Sequence, residues 1–138
     1  KAEFIPFGCW SPDGSLIAGI WIAKHDGSKS ITFIKRETGE IVKTIKLTGD
    51  FTWLHDIDWS PNGDKIVFST YEDKTNEWAF WTINIDGSQQ QKILDNDRVG
   101  YLLSPRWSAD GHYIYYLQEN LNIRFTNLKW TIMITCHY

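Results

Sequence analysis

Cysteine, proline and methionine are scarce in this chain of 138 residues, with two, four and one copies respectively. Long apolar runs are missing altogether. Two cysteines, Cys9 and Cys136, are too few for a disulfide framework or a cysteine-rich metal cluster. They read as two unremarkable thiols, with a single bridge between them as the alternative. No stretch is apolar over the ~20 residues a membrane helix needs, so membrane insertion is not expected. Charge of one sign is also lacking. Fourteen basic and 17 acidic residues leave a net charge of -3, and the two signs are interspersed. Nothing in this pattern favours nucleic acid or an anionic membrane as a partner. Helical periodicity is absent too, which excludes a helical bundle. No secretory signal pattern is visible and residue 1 is Lys, so the expectation is a processed chain or one cut from something longer.

Aromatic residues are abundant by contrast: eight Trp, six Tyr and seven Phe. They favour strands and supply large buried areas. The sequence is also repetitive. "CWSPDGSLIAGIW" (Cys9 to Trp21) returns as "DWSPNGDKIVFST" (Asp58 to Thr70) and "RWSADGHYIYYLQ" (Arg106 to Gln118). Trp10, Trp59 and Trp107 stand 49 and 48 residues apart, as do Gly14, Gly63 and Gly111. A second stretch keeps the period: "WTINI" (Trp81 to Ile85) matches "WTIMI" (Trp130 to Ile134), with the looser "ITFIK" (Ile31 to Lys35) in the first unit.

Each unit reads as four short strands. In the first these are Phe4 to Trp10, Leu16 to Trp21, Ser30 to Lys35 and Ile41 to Leu47. The last alternates apolar and polar residues, as a half-buried strand does. Ser-Pro-Asp-Gly has the chemistry of a tight hairpin turn. Ser bonds the backbone, Pro12 presets φ, Asp13 tolerates the bridge region and Gly14 takes positive φ. Asn62 serves for Asp13 in the second unit. Ala109 serves for the proline in the third. The repeated Trp at the end of strand one is expected to pack between adjacent units.

A four-stranded unit with this period predicts an all-β fold of β-propeller blades. The blades fall at about residues 1–49 and 50–97, with a partial third at about 98–138. Closed propellers carry about four to eight blades. Three therefore predict part of a larger propeller or one completed by another copy, with self-association through open blade edges. The Trp-Ser-Pro-Asp-Gly motif and its following β run resemble the WD-like, PD-type repeat of the TolB family. They also resemble the propeller blades of prolyl-oligopeptidase-type peptidases. The WD-repeat family itself is matched only in outline, since no Gly-His and Trp-Asp pair marks each blade. The TolB resemblance implies a non-catalytic scaffold for a protein partner, without cofactors, in a periplasmic or other extracytoplasmic setting. The peptidase resemblance implies the alternative, the propeller portion of a serine hydrolase whose catalytic domain lies outside this chain.

Catalytic chemistry finds little support. No Gly-x-Ser-x-Gly elbow is present. His112 follows a turn and His137 lies near the end. His55 and Asp56 are adjacent on a strand and so point to opposite faces, which separates a base from its orienter. "DNDRVG" (Asp95 to Gly100) opens like a calcium loop, but the twelfth position is Arg106 rather than Glu. The Asp-Gly turns differ in order from the Asp boxes of sialidases, and no arginine cluster accompanies them. Trp53, Trp78, Trp81, Tyr71 and Tyr101 suit a sugar or peptide site, although alternation sends Trp78 and Phe80 to one face and Trp81 to the other. Core packing is the simpler role for most of the Trp. The loops at one end of the blades do not repeat, and such loops carry function on a rigid scaffold. The contact surface predicted there comprises His25, Asp50, Trp53, His55, Asp73, Arg98 and Tyr101.

Overall fold

The computed structural model describes residues 2–95, 101–119 and 131–136, the side chains of 2–7, 119 and 131–136 excepted. The first unit forms a sheet of β1 (Ala2–Trp10), β2 (Leu16–Ala23), β3 (Lys29–Lys35) and β4 (Ile41–Lys46). The second repeats it with β5 (Trp53–Trp59), β6 (Lys65–Glu72), β7 (Glu77–Asn84) and β8 (Gln91–Asp95). The third contributes β9 (Tyr101–Trp107), β10 (Tyr113–Glu119) and β11 (Thr131–Cys136). Strands follow in sequence order and pair antiparallel throughout. The three sheets are propeller blades. Their first strands pack in succession, β1 on β5 and β5 on β9, with no comparable packing of β1 on β9 among the described residues.

The repeated turn explains why each blade begins alike. In blade one the Gly14 N–H donates to the Ser11 carbonyl at 2.8 Å, closing the turn. The Ser11 hydroxyl accepts the Leu16 N–H at 2.9 Å. Ser60 and Ser108 accept from Lys65 and Tyr113 at the same distance. Gly14, Gly63 and Gly111 all take positive φ, between 69° and 80°, which only glycine adopts at little cost. One detail differs from expectation. Asp13 and Asp110 anchor their turns by accepting from Ser11 and Ser108. Asn62 takes no such part, and the Ser60 hydroxyl donates instead to Asp64 at 3.1 Å.

Two cores lie between the blades. Between the first and second, Ile20, Ile31 and Phe33 of blade one meet Leu54, Ile57, Trp59 and Phe68 of blade two. Between the second and third, Trp78 and Phe80 meet Leu102 and Tyr116. The alternation read in β7 holds, because Phe80 turns toward Tyr116 and Trp81 toward Phe51 and Phe68. Two expectations need correction. Trp10 is 55% exposed among the described residues instead of packed between blades. Trp59, with the same place in blade two, is 7% exposed. Strand β4 is not half-buried either. Only Ile45 is buried within it, because it is the outermost strand of its blade.

Candidate functional site

β5, β6 and β7 bring three aromatic residues into one row at the non-repeating end of blade two. Trp53 is registered opposite Tyr71, and Tyr71 opposite Trp78. Directly opposed residues on paired strands share a face and touch. The Tyr71 and Trp78 rings lie 5.1 Å apart. His55 packs on Trp78 from β5 at 4.8 Å, and Tyr101 of β9 meets the indole edge-on at 5.5 Å. Trp78 is buried and fixes the group, while Trp53 and Tyr101 reach solvent at 51% and 39% exposure. The Tyr71 hydroxyl donates to Asn76 at 2.8 Å, holding the β6–β7 loop against the cluster. Burial against Trp78 depresses the pKa of His55, and the nearby Asp56 carboxylate opposes the shift.

The structure gathers part of the contact surface read from sequence. Trp53, His55 and Tyr101 converge through Tyr71 and Trp78. Asp73 stands beside them, its N–H donating to the Thr52 hydroxyl at 3.1 Å. His25 lies in the exposed β2–β3 turn of blade one and pairs with its neighbour Asp26 at 3.4 Å. Asp50 is exposed in the β4–β5 connection. Arg98 lies outside the described residues, as does the stretch Asn96 to Gly100 of the calcium-like loop.

The expected divergence of His55 and Asp56 does not hold: β5 bulges between Leu54 and Ile57, which breaks the alternation, and both side chains turn toward the seam with blade three. Asp56 turns to blade three and accepts the Ser104 N–H at 3.1 Å. Asp58, two residues on, accepts the Trp107 N–H at 2.7 Å. These carboxylates were missed as functional parts in the sequence, though "HDIDW" carries the signal: two acids of period two flanking a buried Ile57. Ser104 adopts a left-handed φ of 52° where β9 bulges, and Asp56 holds its amide there. Cys9, Asp58 and Arg106 occupy matching places in three successive blades and sense one another electrostatically. Burial first, then the Asp58 charge, push the Cys9 thiol up to about 12, and Arg106 opposes them. A thiol so poised is a poor nucleophile at neutral pH. Cys9 is a free thiol, and the side chain of Cys136 lies outside the described residues. Among the described residues no group of three or more His, Cys, Asp or Glu is placed to hold a metal, and no helix is long and apolar enough to cross a membrane.

These sheets define the fold as that of a β-propeller, seen also in TolB and in prolyl endopeptidases. No protein-family model matches the chain. It is 32% identical over 84 residues to dipeptidyl-peptidase 5 of Porphyromonas endodontalis, a match covering 58% of this chain and 11% of the peptidase. It superposes on TolB from Acinetobacter baumannii with a TM-score of 0.63 at 17% identity, covering 97% of this chain and 30% of that one. A propeller in the nidogen/laminin complex gives a TM-score of 0.68 at 14% identity, covering 96% and 44%. The chain thus spans about a tenth of the peptidase and less than half of either solved structure.

Proposed function

We propose that this chain is a non-catalytic propeller segment that binds a protein partner at its non-repeating loop end. The aromatic row of β5–β7 carries the reading. Exposed aromatics seated on a buried, rigid aromatic are the residues that anchor protein interfaces. Trp53 and Tyr101 supply the apolar anchors, and Asp73 a polar rim beside them. The β-propeller of the nidogen/laminin complex supports this by its fold. The test is affinity capture from the source cells with the intact protein and with a Trp53→Ala/Tyr101→Ala variant. A protein enriched by the wild type and reduced at least tenfold by the variant, about 1.4 kcal/mol or more, supports the reading. Equal enrichment by both overturns it.

A second reading is favoured by the similarity to dipeptidyl-peptidase 5. In it the blades belong to a serine peptidase, and the loop end faces a catalytic domain encoded elsewhere in the same gene. Sequencing the complete gene decides between them, since a nucleophile elbow on an α/β-hydrolase domain is required by the second reading alone.

A further inference from the structure

The two seams between blades differ at one position that remakes the space beside it. In the first seam the Trp59 indole meets the Phe33 ring edge-on, 5.2 Å between centroids, and both are buried. In the second seam Trp107 stands where Trp59 stood, and Thr82 replaces Phe33 one period on. The shorter side chain leaves a cleft of ≈ 200 Å³ beside Trp107. The cleft lies at the repeated-turn end of the blades, opposite the aromatic row.

Its lining mixes the apolar Ile93 and the Trp107 ring with polar groups, some of which have no side-chain hydrogen bond among the described residues. The Trp107 Nε1 is buried without a hydrogen-bond partner. The same atom of Trp59 also lacks one, but there the ring of Phe33 fills the space. The amides of Asn62 and Gln91 and the hydroxyl of Thr82 line the cleft. None makes a hydrogen bond among the described residues. Their equivalents in blade one are Asp13, Lys43 and Phe33, so three positions have changed together toward neutral hydrogen-bonding groups. The two charges at the rim are already engaged. Lys65 donates to Asn84 at 2.6 Å, and Asp64 accepts from Ser60.

We propose that this cleft is a binding site for a small, neutral, polyhydroxylated ligand about the size of one sugar ring. An indole flank, two amides and a hydroxyl match alternating ligand hydroxyls, each able to give and accept. The engaged rim charges disfavour an anionic ligand. The cleft is smaller than the roughly 300–1,000 Å³ of drug-sized sites, which limits the ligand to a single ring.

Nitrogen-15 NMR of the intact protein reads the tryptophan indole N–H signals separately, with Trp107→Phe and Trp59→Phe variants for assignment. Glucose, galactose, N-acetylglucosamine and inositol are the probes, each titrated alone, with sodium phosphate as an anionic control. The expected result is a saturable shift of the Trp107 signal with at least one neutral probe, in the millimolar range, while the Trp59 signal stays in place. Thr82→Phe rebuilds the first seam and is expected to weaken binding at least tenfold. Gln91→Val is the second variant, at an exposed position that does not threaten the fold, and is expected to weaken it about threefold. The proposal is overturned if no neutral probe gives a saturable shift. It also fails if phosphate alone does so, or if both variants bind as the wild type does.

Discussion

The two seams are built on one backbone plan and closed by different chemistry. The first is aromatic on aliphatic, with Trp59 against Phe33 among Ile20, Ile31 and Ile57. The second keeps an aromatic core around Phe80 and Tyr116 but is polar at its turn end, where Thr82 faces Trp107. It adds side-chain bonds that the first seam has no means to make, from Asp56 and Asp58 to the backbone of β9. At the place of Asp58 the first blade has Cys9. The turn and the strand register recur whichever filling is used. The repeat therefore dictates how a blade is made, while the side chains between repeats decide how tightly two blades adhere.

Making the first seam like the second is the strongest test of that difference. Phe33→Thr removes a ring that is 2% exposed and leaves a hydroxyl in an apolar site. A loss of about 3–4 kcal/mol is expected, as for other large-to-small changes of buried aromatics. Urea unfolding measures it. A loss below about 1 kcal/mol, the size of a surface effect, contradicts the claim that this contact joins blades one and two.

The turns allow a sharper comparison. Gly14 and Gly111 share their backbone geometry, with φ of 69° and 74°. A Cβ on Gly14 meets nothing within 4 Å, whereas one on Gly111 comes within 3.3 Å of the Pro61 ring of the preceding blade. Gly14→Ala is expected to cost the left-handed penalty alone, about 1 kcal/mol. Gly111→Ala adds displacement of the stacked turn and is expected to cost roughly twice as much. Equal losses in thermal unfolding mean that the turns of successive blades do not support each other.

This contrast also marks what was legible in the sequence. The turns were, because Ser, Asp and Gly act on their own neighbours and the same local chemistry appears three times. The blade order followed from the period. The fate of each Trp did not follow, because it depends on a residue about 25 positions away on another strand. Trp59 finds Phe33, Trp107 finds Thr82, and Trp10 lies exposed among the described residues. The loop-end cluster was half legible. Trp53, His55 and Tyr101 stood out as aromatic or titratable loop residues, but their convergence on Trp78 needs the β5–β6–β7 register and the neighbouring blade. Asp56 stood out only as a partner of His55 and Asp58 not at all, because their partners are backbone amides 48 and 49 residues on, which leave no mark in side-chain chemistry.

Asp58 tests the polar side of the second seam with a smaller effect. Asp58→Ala leaves the Trp107 N–H without its acceptor, at an expected cost of ~1–2 kcal/mol. Asp58→Asn keeps an oxygen there and removes a half-buried charge. Burial raises the Asp58 pKa, with the Trp107 bond and Arg106 opposing. The folded state therefore favours the protonated acid, and that contribution is fully present below the ordinary pKa near 3.9. It is lost as pH rises through the folded value. Asp58→Asn is thus expected to match the wild type near pH 3 and to exceed it in melting temperature at pH 7. The same change removes a negative charge from beside Cys9, so alkylation of that thiol should quicken. A wild type more stable than Asp58→Asn at pH 7 shows that the carboxylate charge itself binds β9.

His55 gives the smallest effect and links the seam to the proposed contact surface. Its imidazole packs on Trp78 with the pKa lowered by burial, Asp56 opposing. A histidine depressed in the fold binds more protons when unfolded. The stability it contributes is complete above its ordinary pKa near 6.5 and is lost as pH falls toward the folded value. The melting temperature of the wild type is expected to fall between pH 7.5 and pH 5.5 by more than that of His55→Phe, which keeps a ring on Trp78 and cannot be protonated. The same acid step should loosen the platform under Trp53 and Tyr101, giving partner capture a steeper loss at pH 5.5 in the wild type than in the variant. If both proteins respond alike to pH, charge on His55 does not govern the cluster, and the aromatic row stands on Tyr71 and Trp78 alone.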